Sequence, residues 1–98
     1  MDDAALRALA DPTRRRIVEL LAGEQQCTCH LVDELGATQS NVSNHLRVLR
    51  DAGLVASEQE GRYAYHRLLT ERLDRLSADL AGLASRSRLA LTVKRPCS

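Results

Sequence analysis

The sequence predicts a mainly α-helical single domain with one small β-hairpin, and three observations lead there. Apolar residues recur at helical spacing through the first half of the chain and again near its end. A glycine or a capping residue punctuates each run. The period changes from helical to two only around Tyr63 and Tyr65. The chain has 98 residues, of which 44% are hydrophobic, which excludes wholesale disorder. At this size roughly 60–65% of the unfolded surface is buried on folding, so a lone core is thin and a partner subunit would help.

The elements follow in order. Leu6 and Leu9 suggest a short helix over about residues 2–10. Asp11-Pro12 reads as N-cap and first helical residue: Asp accepts orphan amides, and Pro has no N–H to lose there. Ile17, Val18, Leu20 and Leu21 give that helix an apolar face, and Gly23 stops it. Leu31, Val32 and Leu35 make the next face, ended by Gly36. Thr38 is the following cap, and Val42, Leu46 and Leu49 repeat at i, i+4, i+7 up to Gly53. Two helices joined by a tight Gly36-Ala37 turn form a helix-turn-helix.

Leu54-Val55-Ala56 then reads as a strand, Glu60-Gly61 as a turn, and Arg62 to Leu68 as a second strand whose tyrosines share one face. A hairpin directly after a helix-turn-helix defines a winged helix. From about Thr70 the last helix carries Leu69, Leu73, Leu76, Leu80 and Leu83 at steps of 4, 3, 4, 3. That heptad seam is narrower than a helix packed into a globular core needs, and it reads as a dimer surface. The expected layout is one domain over 1–98: helix-turn-helix about 27–52, wing about 54–68, dimerisation helix about 70–85 and a flexible tail 86–98.

Lys+Arg is 14 and Asp+Glu is 13, a net charge of +1 that excludes a polybasic protein. The charge is unevenly placed. No acid lies between Glu34 and Asp51, where Arg47 and Arg50 are basic. With Val42 at the core, Ser40, Asn44 and Arg47 point outward and Ser43 lies at the flank, a face of short polar groups and an arginine suited to the major groove. Arg62 beside Gly61 suits a phosphate or minor-groove contact. Arg14, Arg15 and Arg16 are either phosphate contacts or a solvated face. His45, about 60° from the core centre, reads as a half-buried, hydrogen-bonded residue. His66 reads as structural or as a phosphate contact. Two tyrosines are too few for a single-strand stacking platform.

Three cysteines are too few, and odd in number, for a secreted disulfide scaffold. With no basic-then-apolar leader and no apolar run near 18 residues, the expectation is a cytoplasmic protein with reduced thiols and no membrane partner. Cys27-Thr28-Cys29 opens the first helix of the helix-turn-helix. In a regular helix such a pair points roughly 200° apart, so both sulfurs reach one ion only if the helix start is extended or unwound. A helix N-terminus favours thiolates, and soft thiolates select thiophilic ions. Ion binding would then distort the helix that supports the recognition helix. Cys97, from its own chain or a partner's, and His30 are candidates to complete the site.

Together these motifs resemble the ArsR/SmtB family of metal-responsive bacterial repressors. Ala10-Asp11-Pro12-Thr13-Arg14 resembles the start of its second helix, and Cys27-Thr28-Cys29-His30-Leu31 its cysteine box. Gln39 to Arg50 followed by Ala52-Gly53-Leu54-Val55 resembles its recognition helix, and Glu60-Gly61-Arg62 through Tyr65 its wing. The resemblance implies a homodimer through first and last helices, operator binding without metal, and release on binding it. It also implies Gln39, Ser40, Ser43 and Asn44 as DNA readers. Departures narrow the sensor site. Val32 stands where arsenic-type boxes often have a third cysteine, the first 26 residues hold no cysteine, and residues 67–98 hold no histidine. Cys27, Cys29 and Cys97 would supply the three thiolates that trivalent arsenic and antimony prefer.

The leading expectation is therefore an arsenite/antimonite-responsive repressor on double-stranded operator DNA. A cadmium, lead or zinc sensor using the same cysteines, with His30, is the alternative. A thiol redox switch is the third, and the small ring of a Cys27–Cys29 disulfide counts against it. With no phosphate loop and no catalytic dyad at usable spacing, an enzyme is not expected.

Overall fold

Helix caps set the first half of the chain. In the computed structural model, which describes residues 1–97, α1 (Asp3–Leu9) starts where the Asp2 carboxylate accepts the Ala5 amide at 3.0 Å. Asp11 does the same for Arg14 at 3.1 Å, with Pro12 as first residue of α2 (Pro12–Gly23). The arginine run has a local task. Arg14 Nε donates to the Ala8 carbonyl at 2.7 Å, its Nη2 to Arg7 at 3.2 Å, and Arg15 Nη1 to Leu9 at 2.7 Å. These side chains satisfy the orphan carbonyls at the end of α1 and fasten it to α2. Arg16 makes only an exposed pair with Glu19 at 3.5 Å.

The chain then runs through a two-residue strand, β1 (Gln26–Cys27), into α3 (Thr28–Leu35). Gly36, at φ +60°, closes α3 in the left-handed region that a side chain would strain. Thr38 caps α4 (Gln39–Asp51) by accepting the Asn41 amide at 3.1 Å. β2 (Val55–Glu60) and β3 (Tyr63–Leu68) form the hairpin, with Glu60 opposite Tyr63 and a Gly61-Arg62 turn at its tip. The final helix, α5, spans Thr70–Leu89.

Three features depart from the sequence reading. First, the sheet has three antiparallel strands, in order β1-β3-β2, because Gln26 pairs with His66 and Cys27 with Tyr65. The hairpin is therefore anchored to the cysteine segment. Second, α5 continues to Leu89, four residues past the expected end near 85 and into the segment read as a flexible tail. Third, the leucine seam divides. Leu76 is only 6% exposed and joins the core of its own chain, with Leu73 packed against it; Leu69 is half-buried at the helix cap. Leu80 and Leu83 remain 49% and 48% exposed.

The core is one cluster that includes Ala5, Ile17, Leu31, Val42, Leu46, Leu49, Leu54 and Leu76. It ends at the first half of α5, and every described residue from Ser77 onward is exposed. The radius of gyration is 17.7 Å, with extents of 65 × 22 × 20 Å, whereas a globule of this length has about 13 Å. The excess is consistent with the outer half of α5 standing clear of the core.

Candidate DNA-binding surface and dithiol site

The recognition face is decided by the periodicity of α4. Val42, Leu46 and Leu49 are at most 1% exposed and hold the helix on the core. Gln39, Ser40, Ser43, Asn44 and Arg47 are all exposed on the same helix, and its first turn carries no acid. Arg62 is exposed at the hairpin tip. These six residues expected to face DNA thus stand in solvent, whereas Arg14, a further phosphate candidate, is half-buried. Half-buried His45 lies beside Arg14, with Nδ1 3.4 Å from Nη1, and has the internal partner expected of it.

The cysteines meet without any unwinding of α3. Cys27 is the N-cap, with φ −80° and ψ 165°, and its backbone belongs to β1. Cys29 sits one residue inside the helix. The 200° separation of a continuous helix does not apply, because one member of the pair is extended. Cα atoms stand 5.4 Å apart and the sulfurs are in disulfide contact. That Cα separation lies within the span a disulfide bridges. Cys27 is 2% exposed, whereas Cys29 is open to solvent.

His30 completes a cluster. Its Nδ1 lies 3.3 Å from Cys27 Sγ and accepts the Cys27 amide at 3.3 Å. Donor atoms of Cys27, Cys29 and His30 all lie within 4.8 Å of one another, and among the described residues no other such group forms. Two sulfurs and an imidazole nitrogen suit a thiophilic ion. Nδ1 would have to release the Cys27 amide in order to bind one. Cys97 is exposed and is not brought to the pair within one chain. A cleft of about 450 Å³ opens beside the cysteines, bounded by Val32, Gln39, Arg62 and Tyr63, so the cysteine pair shares its walls with Gln39 and Arg62, two of the residues expected to face DNA.

Beneath this surface runs a polar chain that the sequence reading missed. His66 is 2% exposed. Its Nε2 is 2.8 Å from Thr28 Oγ1 and its Nδ1 is 2.7 Å from Ser57 Oγ. Ser57 Oγ in turn accepts from Arg50 Nη1 at 3.2 Å. Burial, with a smaller contribution from the Arg50 charge, lowers the His66 pKa below its usual 6.5. The ring is neutral at pH 7 and structural, as one of its two expected roles had it. A signal was present: Ala64, His66 and Leu68 alternate on the inward face of β3. Thr28 and Ser57 gave none.

A helix-turn-helix with an exposed polar recognition face and an anchored wing defines a DNA-binding transcriptional regulator. The comparisons agree on a family. The model of the bacterial regulatory proteins of the arsR family matches residues 11–57. The regulator CmtR of Mycobacterium tuberculosis is 42% identical over 91 residues, covering 93% of this chain and 74% of CmtR. The repressor SmtB of the same organism is 43% identical over 74 residues, covering 76% of this chain and 55% of SmtB.

Among solved structures, a possible transcriptional regulator for arsenical resistance superposes with TM-score 0.76 at 36% identity, covering 97% of this chain and 99% of that one. A homodimeric winged helix-turn-helix DNA-binding domain from Mycobacterium bovis gives TM-score 0.69 at 27% identity, covering 95% and 85%. The chain belongs to the ArsR/SmtB family of transcriptional regulators. No helix among the described residues is long and apolar enough to cross a membrane.

Proposed function

We propose that this chain is a metal-responsive repressor of the bacterial cytoplasm. As a homodimer it holds double-stranded operator DNA and leaves it when Cys27 and Cys29 bind trivalent arsenic or antimony. One observation carries the reading: two cysteine sulfurs converge at the N-terminus of α3, beside the wing strand and the first residue of α4. The helix terminus favours thiolates there, and exposed Cys29 gives an ion access. The third thiolate of an arsenic site would be Cys97 of the partner subunit. The kinship with a structure described as a regulator for arsenical resistance supports this ligand.

The dimer reading rests on the outer half of α5, where Leu80 and Leu83 are half-exposed beyond the core, and on the homodimeric relative. Gln39, Ser40, Ser43, Asn44 and Arg47 read the major groove, and Arg62 on the wing contacts the backbone or minor groove. Operator half-sites stand about one helical turn apart.

A second reading, in which Cd²⁺, Pb²⁺ or Zn²⁺ binds Cys27, Cys29 and His30, is favoured by the presence of His30 in the same-chain cluster. A redox switch at the cysteine pair is favoured by the sulfur contact. Titrating the reduced, DNA-bound dimer with arsenite, Cd²⁺ and peroxide separates the three. Arsenite should release DNA from the wild type and fail with Cys27→Ser, Cys29→Ser and, at reduced affinity, Cys97→Ser. Release by Cd²⁺ with arsenite inert at tenfold excess, abolished by His30→Gln, selects the second reading. Release by peroxide alone selects the third.

A further inference from the structure

We propose that the chain of hydrogen bonds Thr28–His66–Ser57–Arg50 couples the state of the cysteine pair to the recognition helix, with His66 as its central positioning residue. The inference rests on the reading that the dithiol controls DNA binding. It adds the route by which that control travels.

Four observations support it. Thr28 lies between the two cysteines, so any rearrangement of the pair passes through its backbone. Its hydroxyl is bonded to a ring that is 2% exposed, where water cannot replace a lost partner. That ring reaches Ser57 on β2, and Ser57 holds Arg50 in the last turn of α4. The backbone runs in parallel: Gln26 pairs with His66 and Cys27 with Tyr65, so the cysteine segment and the wing are one sheet.

Chemistry gives the chain a direction. A neutral imidazole has one N–H and one lone pair. If Ser57 donates to Nδ1, then Nε2–H donates to Thr28; if Thr28 donates to Nε2, then Nδ1–H donates to Ser57. Both ends are locked to one sense, and a hydroxyl displaced at Thr28 forces a change at Ser57 or leaves a buried ring nitrogen unpaired. Ser57 is the group that positions Arg50, which lies in the last turn of the helix whose outer face is presented to DNA. A bond of this kind also glues the wing to α3, so the test must read coupling as well as stability.

The experiment uses the reduced full-length chain and a duplex selected for binding by the metal-free wild type. Anisotropy gives the DNA dissociation constant with and without Cd²⁺ or arsenite, and the ratio is the coupling factor. Thiolate-to-metal absorbance gives metal affinity independently of DNA. Thr28→Val removes the hydroxyl at nearly constant volume, Ser57→Ala breaks the chain at an exposed position, and His66→Gln removes its centre. Each should leave metal affinity unchanged and lower the coupling factor by roughly 2- to 10-fold, the worth of one hydrogen bond. Thr28→Val combined with Ser57→Ala should lose no more than either alone, because a broken chain cannot be broken twice. Wild-type coupling in Thr28→Val and Ser57→Ala, with release intact in the wild type, overturns the relay alone. No metal-dependent release in the wild type overturns the dithiol reading and the relay with it.

Discussion

Replacing Leu80 and Leu83 together by alanine tests where the dimer seam lies. Both leucines are on α5 past the last core residue and stand 49% and 48% exposed. Fully burying a leucine contributes about 1.5–3 kcal/mol, so covering the exposed half is worth about 1 kcal/mol. A symmetric interface counts each twice, and four half-leucines give ~4 kcal/mol, or ~10³-fold in the dimer dissociation constant. Sedimentation velocity over a concentration series reads that constant directly. Thermal unfolding of the monomer should hardly move, because neither side chain packs on its own core. Leu76→Ala is the control: this residue is 6% exposed inside the core cluster, and its loss should cost the fold itself about 2–5 kcal/mol. An unchanged dimer constant in the double variant would refute the seam. A large fall in monomer stability would show that α5 folds back and that the extended shape misleads.

Further outcomes follow from the same geometry. Arg47→Ala should weaken DNA binding by about 1–3 kcal/mol if the guanidinium reads a base, and mainly flatten the salt dependence if it holds a phosphate; binding curves across a salt series distinguish the two. Stability should fall as pH drops through the region near 6.5. His66 has a lowered pKa in the folded chain, so below its unfolded value the unfolded state takes up a proton that the folded state refuses. The full contribution of the neutral ring is present above about pH 6.5. Urea melts at pH 7.5 and 5.5 should show the loss, and His66→Gln should reduce it. The capping carboxylates Asp2 and Asp11, both held below their usual 3.8 by backbone amides, act only in a more acidic window.

Much of this molecule is written in local chemistry. Asp11-Pro12, Thr38 and Gly36 each do at their own position what their side chains or φ angles allow, so helix boundaries in the helix-turn-helix were legible. The buried stripe of Val42, Leu46 and Leu49 determines which face of α4 is left to solvent, because a 3.6-residue period cannot bury one face without presenting the other. The cysteine pair was legible as a pair. Its family followed from motif order along the chain.

Tertiary structure decided the rest. β1 is two residues long and has no periodicity to read; it exists only because β3 offers Gln26 and Cys27 its free edge. That pairing makes Cys27 extended and lets its sulfur meet that of Cys29, which spacing along a continuous helix forbids. The leucine seam looked uniform in the sequence, yet the core ends partway along it, so Leu76 faces inward and Leu80 outward at the same heptad spacing. His66 has its meaning from Thr28 and Ser57, which are 38 and 9 residues away. The division has one physical cause. Caps and faces depend on neighbours within a turn of helix, whereas an extended cysteine, a divided seam and a buried imidazole depend on what the folded chain brings against them.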